Sequence, residues 1–317
     1  MTASSVAGES WRLVCGVVPA RRTVNMTQRT NAFPELDRDL RFIPLGVEEP
    51  LVLTPTQIRR YNEAGHLFPI DIFSPTEIAE IRAYIDDLLP RALAAGWDNY
   101  QVVNWHKHCR GIWDIVTEPR IIDVATDLLG DTVILHHSHL FAKLAGDPKR
   151  VSWHQDASYW PLTPSRVVSA WPAIDDVDVD NSAMQVIGGS HHHAQLTCHD
   201  STATENNVLA QTVDNATDYG DAPVALEMRA GQISLHSDWI LHGPEPNGSN
   251  RRRCGLAMRY LSADVRAFDG WNANSIRCRG TDPTGHWANH PRPHGEHIPP
   301  PQSPAAADPV REASLSR

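Results

Sequence analysis

"TVILHHSHLFAKLAG" (residues 132–146) opens the part of the chain that decides the fold. It is rich in β-branched and aromatic residues and closes on a glycine, as a strand bounded by a turn does. The same texture returns in "RVVSAWPAI" (166–174), "AMQVIGGS" (183–190), "VALEMRAGQISLHS" (224–237) and "CGLAMRYLSA" (254–263), with Gly, Pro, Asn and Asp between them. Many short strands in succession predict a sandwich or barrel. None is followed by the G-x-G-x-x-G turn of a nucleotide-binding unit, and no repeat of about 20–50 residues is visible.

Upstream the pattern is helical. Thr54-Pro55-Thr56-Gln57 and Ser74-Pro75-Thr76-Glu77 each place a hydroxyl cap, a first-turn proline and an amide or acid three residues on. At that spacing the cap and the third residue exchange hydrogen bonds with free backbone N–H groups. Ile78, Ile81, Ile85, Leu88 and Leu89 then fall on one helical face. A third helix is predicted from Pro119 to Leu129, before Gly130. Helices followed by strands make an α+β chain that is mainly β.

Composition bounds the function classes. The 317 residues carry a net charge of −10 with 41% hydrophobic residues, the profile of a globular domain. The acidic balance excludes a nucleic-acid binder that works through a broad basic face. No apolar run approaches the ~20 residues of a membrane span. The five cysteines are widely spaced and lack a C-x-x-C pair, which predicts free thiols and a cytoplasmic location. The apolar residues near Trp11 to Ala20 follow Glu9 and precede Arg21-Arg22, the wrong charge order for a secretory signal. We expect residues 1–45 to be a partly disordered extension, with Met26 as the natural start. Residues 46–279 are expected to form a single domain and 280–317 a Pro-rich mobile tail, in which His286 and Trp287 are able to dock.

Histidine is frequent, with 17 in the chain. Two sit in His-x-Asp, where alternation on a strand end points an imidazole and a carboxylate to one side. With a distal His, this set binds Fe(II) and leaves coordination positions open. About one such tripeptide arises by chance at this composition; the chain has His154-Gln155-Asp156 and His236-Ser237-Asp238. The second pair would need its third ligand from His286, His290, His294 or His297 in the expected tail, a poor place to hold a ligand. The first pair has His242 downstream, beyond several predicted strands.

The segments "WHQDASYWPL" (153–162), "AWPAIDDVDVDNSAMQVIGGSHH" (170–192) and "GQISLHSDWILHGPEPNGSNRRRCGLAMRY" (231–260) together resemble the phytanoyl-CoA dioxygenase-like family of Fe(II)/2-oxoglutarate oxygenases. "LTPTQIRRYNEAGHLFPIDIFSPTEI" (53–78) is similar to that family's opening helix and strand. The resemblance implies a double-stranded β-helix (jelly-roll) core with the N-terminal helices packed outside it. It implies His154, Asp156 and His242 as iron ligands. Eleven residues after the distal His it places the 2-oxoglutarate arginine, here Arg253; Arg259, on the same strand face, is the reserve. Lys143, Trp171 and Ser169 match positions that neighbour the co-substrate. His137, His139, His236 and Tyr159 are candidates for lining the substrate pocket, and His106 and His108 for a lid loop.

The implied chemistry is oxidation, by default hydroxylation, of an aliphatic C–H bond in a polar small molecule, with O2 and 2-oxoglutarate as co-substrates. Halogenating members lack the aspartate that is present here as Asp156. Two rivals use a similar histidine set without 2-oxoglutarate: a cupin-like hydrolase or isomerase, and a jelly-roll binding protein stabilised by its metal. Neither requires a buried arginine at position 253.

Overall fold

In the computed structural model, which describes residues 33–201, 207–209 and 211–301, both predicted capping boxes form. Thr54 caps α1 (Pro55–Ala64) and Ser74 caps α2 (Pro75–Ala94). Strand β1 (His66–Asp71) lies between these helices. After β2 (Val102–Val103) come α3 (Arg110–Val116) and α4 (Pro119–Leu129), the latter ending at Gly130. The seven residues of α3 are too few to show a periodic stripe in the sequence.

The rest is β structure: β3 (Val133–Lys143), β4 (Leu162–Thr163), β5 (Val167–Pro172), β6 (Gln185–Ile187), β7 (His199–Asp200), β8 (Gln211–Thr212), β9 (Val224–Ala225), β10 (Gln232–Ser237), β11 (Leu241–Gly243), β12 (Arg253–Leu261), β13 (Arg266–Ala267) and β14 (Ile276–Arg279). The large sheet runs β1-β10-β5-β12-β3-β14, with β2 also paired to β3; a smaller sheet runs β11-β6-β9. The expected mainly-β jelly roll is what forms.

Alternation along the strands gives the large sheet two unlike faces. Leu140 and Ala142 of β3, Val168 and Ala170 of β5, and Leu256 and Met258 of β12 share one core with Ile85 and Leu88 of α2 and Ile121 and Leu128 of α4. Each such aliphatic side chain contributes roughly 1.5–3 kcal/mol by leaving water, so the helices are fastened to the outside of the barrel. The opposite residues of the same strands, including Lys143, Ser169, His236, Arg253 and Arg259, are polar yet buried. A sheet that buries polar groups on its inner face is built to receive something there.

At both chain ends the described residues pack against the domain. Residues 280–301 are attached to the domain. Trp287 is buried in a cluster with Tyr159, Trp160 and Leu261, and its Nε1 donates to Val265 O at 3.1 Å. Glu296 accepts from Tyr84 Oη at 2.7 Å and from Gly111 N at 2.9 Å, and Trp97 Nε1 donates to Pro299 O at 2.8 Å. A segment without periodicity cannot make its own core, but single anchors suffice when the domain supplies the apolar surface. At the other end Phe33 and Leu45 are buried, and Leu45 exchanges two hydrogen bonds with the Asn62 side chain. Met26 and residues 302–317 lie outside the described residues. The four described cysteines are free thiols.

Candidate metal centre

His154 and His242 stand opposite one another in an antiparallel bridge, each backbone N–H donating to the other's carbonyl at 3.1 Å. A pair of this kind puts both side chains on one face, and the imidazole centroids are 4.1 Å apart. The approach of the two segments requires Gly243: a Cβ there would lie 2.7 Å from Val151 O. Two residues after His154 the chain leaves the bridge for a short 3-10 turn, 156–158, which folds Asp156 back towards the rings. Asp156 Oδ1 lies 3.5 Å from His154 Nε2 and 3.8 Å from His242 Nε2. The three ligand atoms lie within 4.8 Å of one another, the one such group of three among the described residues.

The protonation pattern fits a metal. His154 Nδ1 is 2.8 Å from Ser152 O and His242 Nδ1 is 3.0 Å from Ile240 O. Each carbonyl fixes the proton on Nδ1 and leaves the Nε2 lone pair facing Asp156. Burial, then the neighbouring His154, keeps His242 neutral well below its ordinary range. Burial opposes charge on Asp156, but the Arg259 guanidinium outweighs it and holds the carboxyl well below the usual carboxylate range. Among the described residues Asp156 Oδ2 accepts no hydrogen bond, and it faces Arg259 Nη2 at 3.5 Å. Two imidazole Nε2 atoms and one ionised carboxylate form the donor set that suits Fe(II).

The second tripeptide does different work. His236 lies on the inner face with its ring 5.0 Å from that of His242. Asp238 turns away and accepts from Ser165 Oγ at 2.6 Å and Ser237 Oγ at 3.3 Å. Its backbone carbonyl accepts from Ala157 N at 2.9 Å, bracing the turn that carries Asp156.

Arg253 and Lys143 are cross-strand partners at one end of β12. Arg253 is buried, donates through Nε to Ser182 O at 3.0 Å, and has its Cζ 5.4 Å from the Trp171 ring. Gly255 makes room for that indole, since a Cβ would come within 2.0 Å of Trp171 Cζ2. Lys143 Nζ donates to Lys149 O at 3.0 Å, to Ser182 Oγ at 3.1 Å and to Glu245 O. An ammonium has three protons, so Lys143 has no donor left over and acts as a strut beside Arg253. Ser182 is a residue at this site that the sequence did not mark.

Ser169 is level with Arg259 and His236, at the opposite end of β12 from Arg253. It therefore neighbours the reserve arginine, Arg259, and not Arg253. Tyr159 packs its ring 6.1 Å from that of His154, and its Oη accepts from Gln211 N at 3.1 Å. His137 stacks 6.4 Å from Trp271, and His139 Nε2 is 2.7 Å from Tyr100 O. His106 is no lid residue: it is buried between Ser138 Oγ at 2.7 Å and Asn274 O at 2.8 Å. Alternation also conceals His136. A bulge pairs Arg259 with His137 and Tyr260 with Leu135, which leaves His136 over and brings its ring to 5.1 Å from Trp160. Bulges re-aim side chains in this way next to sites.

Comparison with known proteins identifies the family. The family model for phytanoyl-CoA dioxygenase matches residues 61–255. A probable alpha-ketoglutarate-dependent hypophosphite dioxygenase of Stutzerimonas stutzeri is 28% identical over 231 residues, covering 66% of this chain and 79% of that protein. Peroxisomal phytanoyl-CoA dioxygenase of Bos taurus is 27% identical over 159 residues, covering 48% of this chain and 47% of its own length, so the match spans about half of that relative. The solved apo structure of ThoJ, a non-heme monooxygenase, superposes with a TM-score of 0.65 at 23% identity, covering 82% of this chain and 99% of that one. The rivals without 2-oxoglutarate are not favoured, and the cofactors are Fe(II) and 2-oxoglutarate. The chain belongs to the phytanoyl-CoA dioxygenase family and is a 2-oxoglutarate-dependent dioxygenase.

Proposed function

We propose that His154, Asp156 and His242 hold Fe(II), that Arg253 receives the distal carboxylate of 2-oxoglutarate, and that the enzyme hydroxylates a polar small molecule. The observation that carries this reading is the His154–His242 pair, with both Nδ1 atoms tied to carbonyls and both Nε2 atoms turned to one ionised Asp156. Bound Fe(II) supplies the activation of O2, coupled to decarboxylation of 2-oxoglutarate to succinate.

The chain's own residues do the rest. The reciprocal backbone bonds between His154 and His242 hold the ligands in place before metal arrives, which lowers the reorganisation needed on binding. The Arg253 guanidinium pairs with a carboxylate through two parallel N–H donors, while Trp171 covers its face. Lys143 fixes Ser182 and the Glu245 carbonyl around it. Buried Trp160, Trp171 and Tyr159 keep water from the reacting centre.

No helix among the described residues is long and apolar enough to cross a membrane. A cytoplasmic enzyme with a small-molecule substrate, and no nucleic-acid or membrane partner, is the setting we infer. The test is 2-oxoglutarate consumption and succinate release, measured with Fe(II) and a panel of small polar acids. Iron-dependent release that falls at least about 1,000-fold in Asp156→Ala is expected. Undiminished release in that variant would exclude Asp156 as a ligand.

A further inference from the structure

The inner face of the large sheet holds unpaired buried polarity beyond what iron and 2-oxoglutarate use. His236, Ser169 and Arg259 stand level across β10, β5 and β12, and all three are buried. His236 Nδ1, Ser169 Oγ, and Nε and Nη1 of Arg259 have no hydrogen-bond partner among the described residues. His136, 1% exposed and placed by the bulge, has neither ring nitrogen paired. Folded chains leave few buried polar atoms unpaired. A cluster of them beside a metal triad marks the seat of a ligand.

Charge decides which kind of ligand. Arg259 has one carboxylate beside it, Asp156, at 3.5 Å. Once Asp156 serves the metal, its charge and that of the proximal carboxylate of 2-oxoglutarate offset the two positive charges of Fe(II). The distal carboxylate faces Arg253. Arg259 is then a buried cation with no counter-charge, a state that a low-dielectric interior penalises heavily. A neutral substrate leaves that imbalance in place, and an anionic one removes it. Trp160 lies 5.6 Å from the guanidinium carbon and covers its face, so a ligand meets the edges. The free protons on Nε and Nη1 lie on the two edges flanking Nη2, and either edge suits two oxygens of an oxyanion.

We propose that Arg259 is the substrate-specificity residue, and that the substrate is a short organic oxyanion, a carboxylate or phosphonate, held by Arg259 with Ser169 and His136. This rests on iron at His154, Asp156 and His242. Because Arg259 touches the edge of that triad, the anionic group lies only a few atoms from the carbon that is oxidised.

Anaerobic protein loaded with Fe(II) and saturating 2-oxoglutarate is titrated calorimetrically with ethylphosphonate, propionate and uncharged propionamide. At least one anion is expected to bind about tenfold or more tightly than propionamide. Arg259→Gln should lose that preference by a larger factor than it loses 2-oxoglutarate affinity, read from the visible band that forms when 2-oxoglutarate joins the iron. Arg259→Lys, which keeps the charge without the fork, should recover part of it, and it carries the test if the glutamine variant does not fold. Binding by one anion and not the other identifies the head group. No anion binding at about 10 mM, propionamide binding equal to the anions, or anion affinity unchanged in Arg259→Gln would overturn the proposal. Loss of the band in the wild-type protein with iron bound would instead overturn the underlying assignment of the iron and 2-oxoglutarate sites.

Discussion

His154-Gln155-Asp156 and His236-Ser237-Asp238 have the same spacing and face the same barrel, yet they sit in different backbone settings. His236 belongs to β10, which is hydrogen-bonded on both sides, to β1 and β5. The strand runs on through Ser237, and Asp238 emerges beyond it to meet Ser165. His154 has a single bridge, to His242, and the chain then turns at once, so that Asp156 swings back to the histidines. The spacing of the tripeptide brings the two side chains to one side of a strand. The turn that follows decides whether they share a centre.

That contrast can be broken most sharply by substituting one residue in each tripeptide. His154→Ala should reduce iron-dependent succinate release at least about 1,000-fold, whereas Asp238→Asn should hold it within about threefold. A loss in Asp238→Asn comparable with that in His154→Ala would mean that the second tripeptide is part of the centre. A smaller effect separates Arg253 from its neighbour Arg252. Arg253→Gln should weaken 2-oxoglutarate binding about 10- to 100-fold, the worth of a charge-assisted pair, with iron affinity retained in calorimetry. Arg252→Gln, whose side chain pairs with Asp175 and Asp86 instead, should leave 2-oxoglutarate affinity unchanged.

The smallest effect is in the pH dependence of stability. Burial raises the Asp238 carboxyl to about 7, against the hydrogen bond from Ser165. Its folded value lies above its unfolded one, so stability is greatest while it is protonated and is lost as pH rises from about 4 to 7. Asp238→Asn cannot ionise. Its melting temperature should exceed the wild type by several degrees at pH 8 and match it near pH 4. An equal gain at both values would show that ionisation of Asp238 is not the cause.

Capping boxes, helix faces and strands were legible because each depends on neighbours in sequence. Two candidate His-x-Asp pairs were legible from their spacing, and the family resemblance implied which pair joins His242. The position of His136 was not, because a bulge breaks the alternation on which such reading rests. Nor was the saturation of Lys143, whose three acceptors come from Lys149, Ser182 and Glu245. For the segment 280–301 only the docking of Trp287 was legible: Glu296 finds partners at Tyr84 and Gly111 that only the folded domain brings near.

The central claim is that iron sits between His154, Asp156 and His242 and binds 2-oxoglutarate there. Anaerobic addition of one equivalent of Fe(II), followed by 2-oxoglutarate, tests it through the visible metal-to-ligand charge-transfer band. The band should form in the wild type and in His236→Ala and be absent in His242→Ala. A band that survives in His242→Ala, or that fails to form in folded wild-type protein with iron bound, would contradict the account.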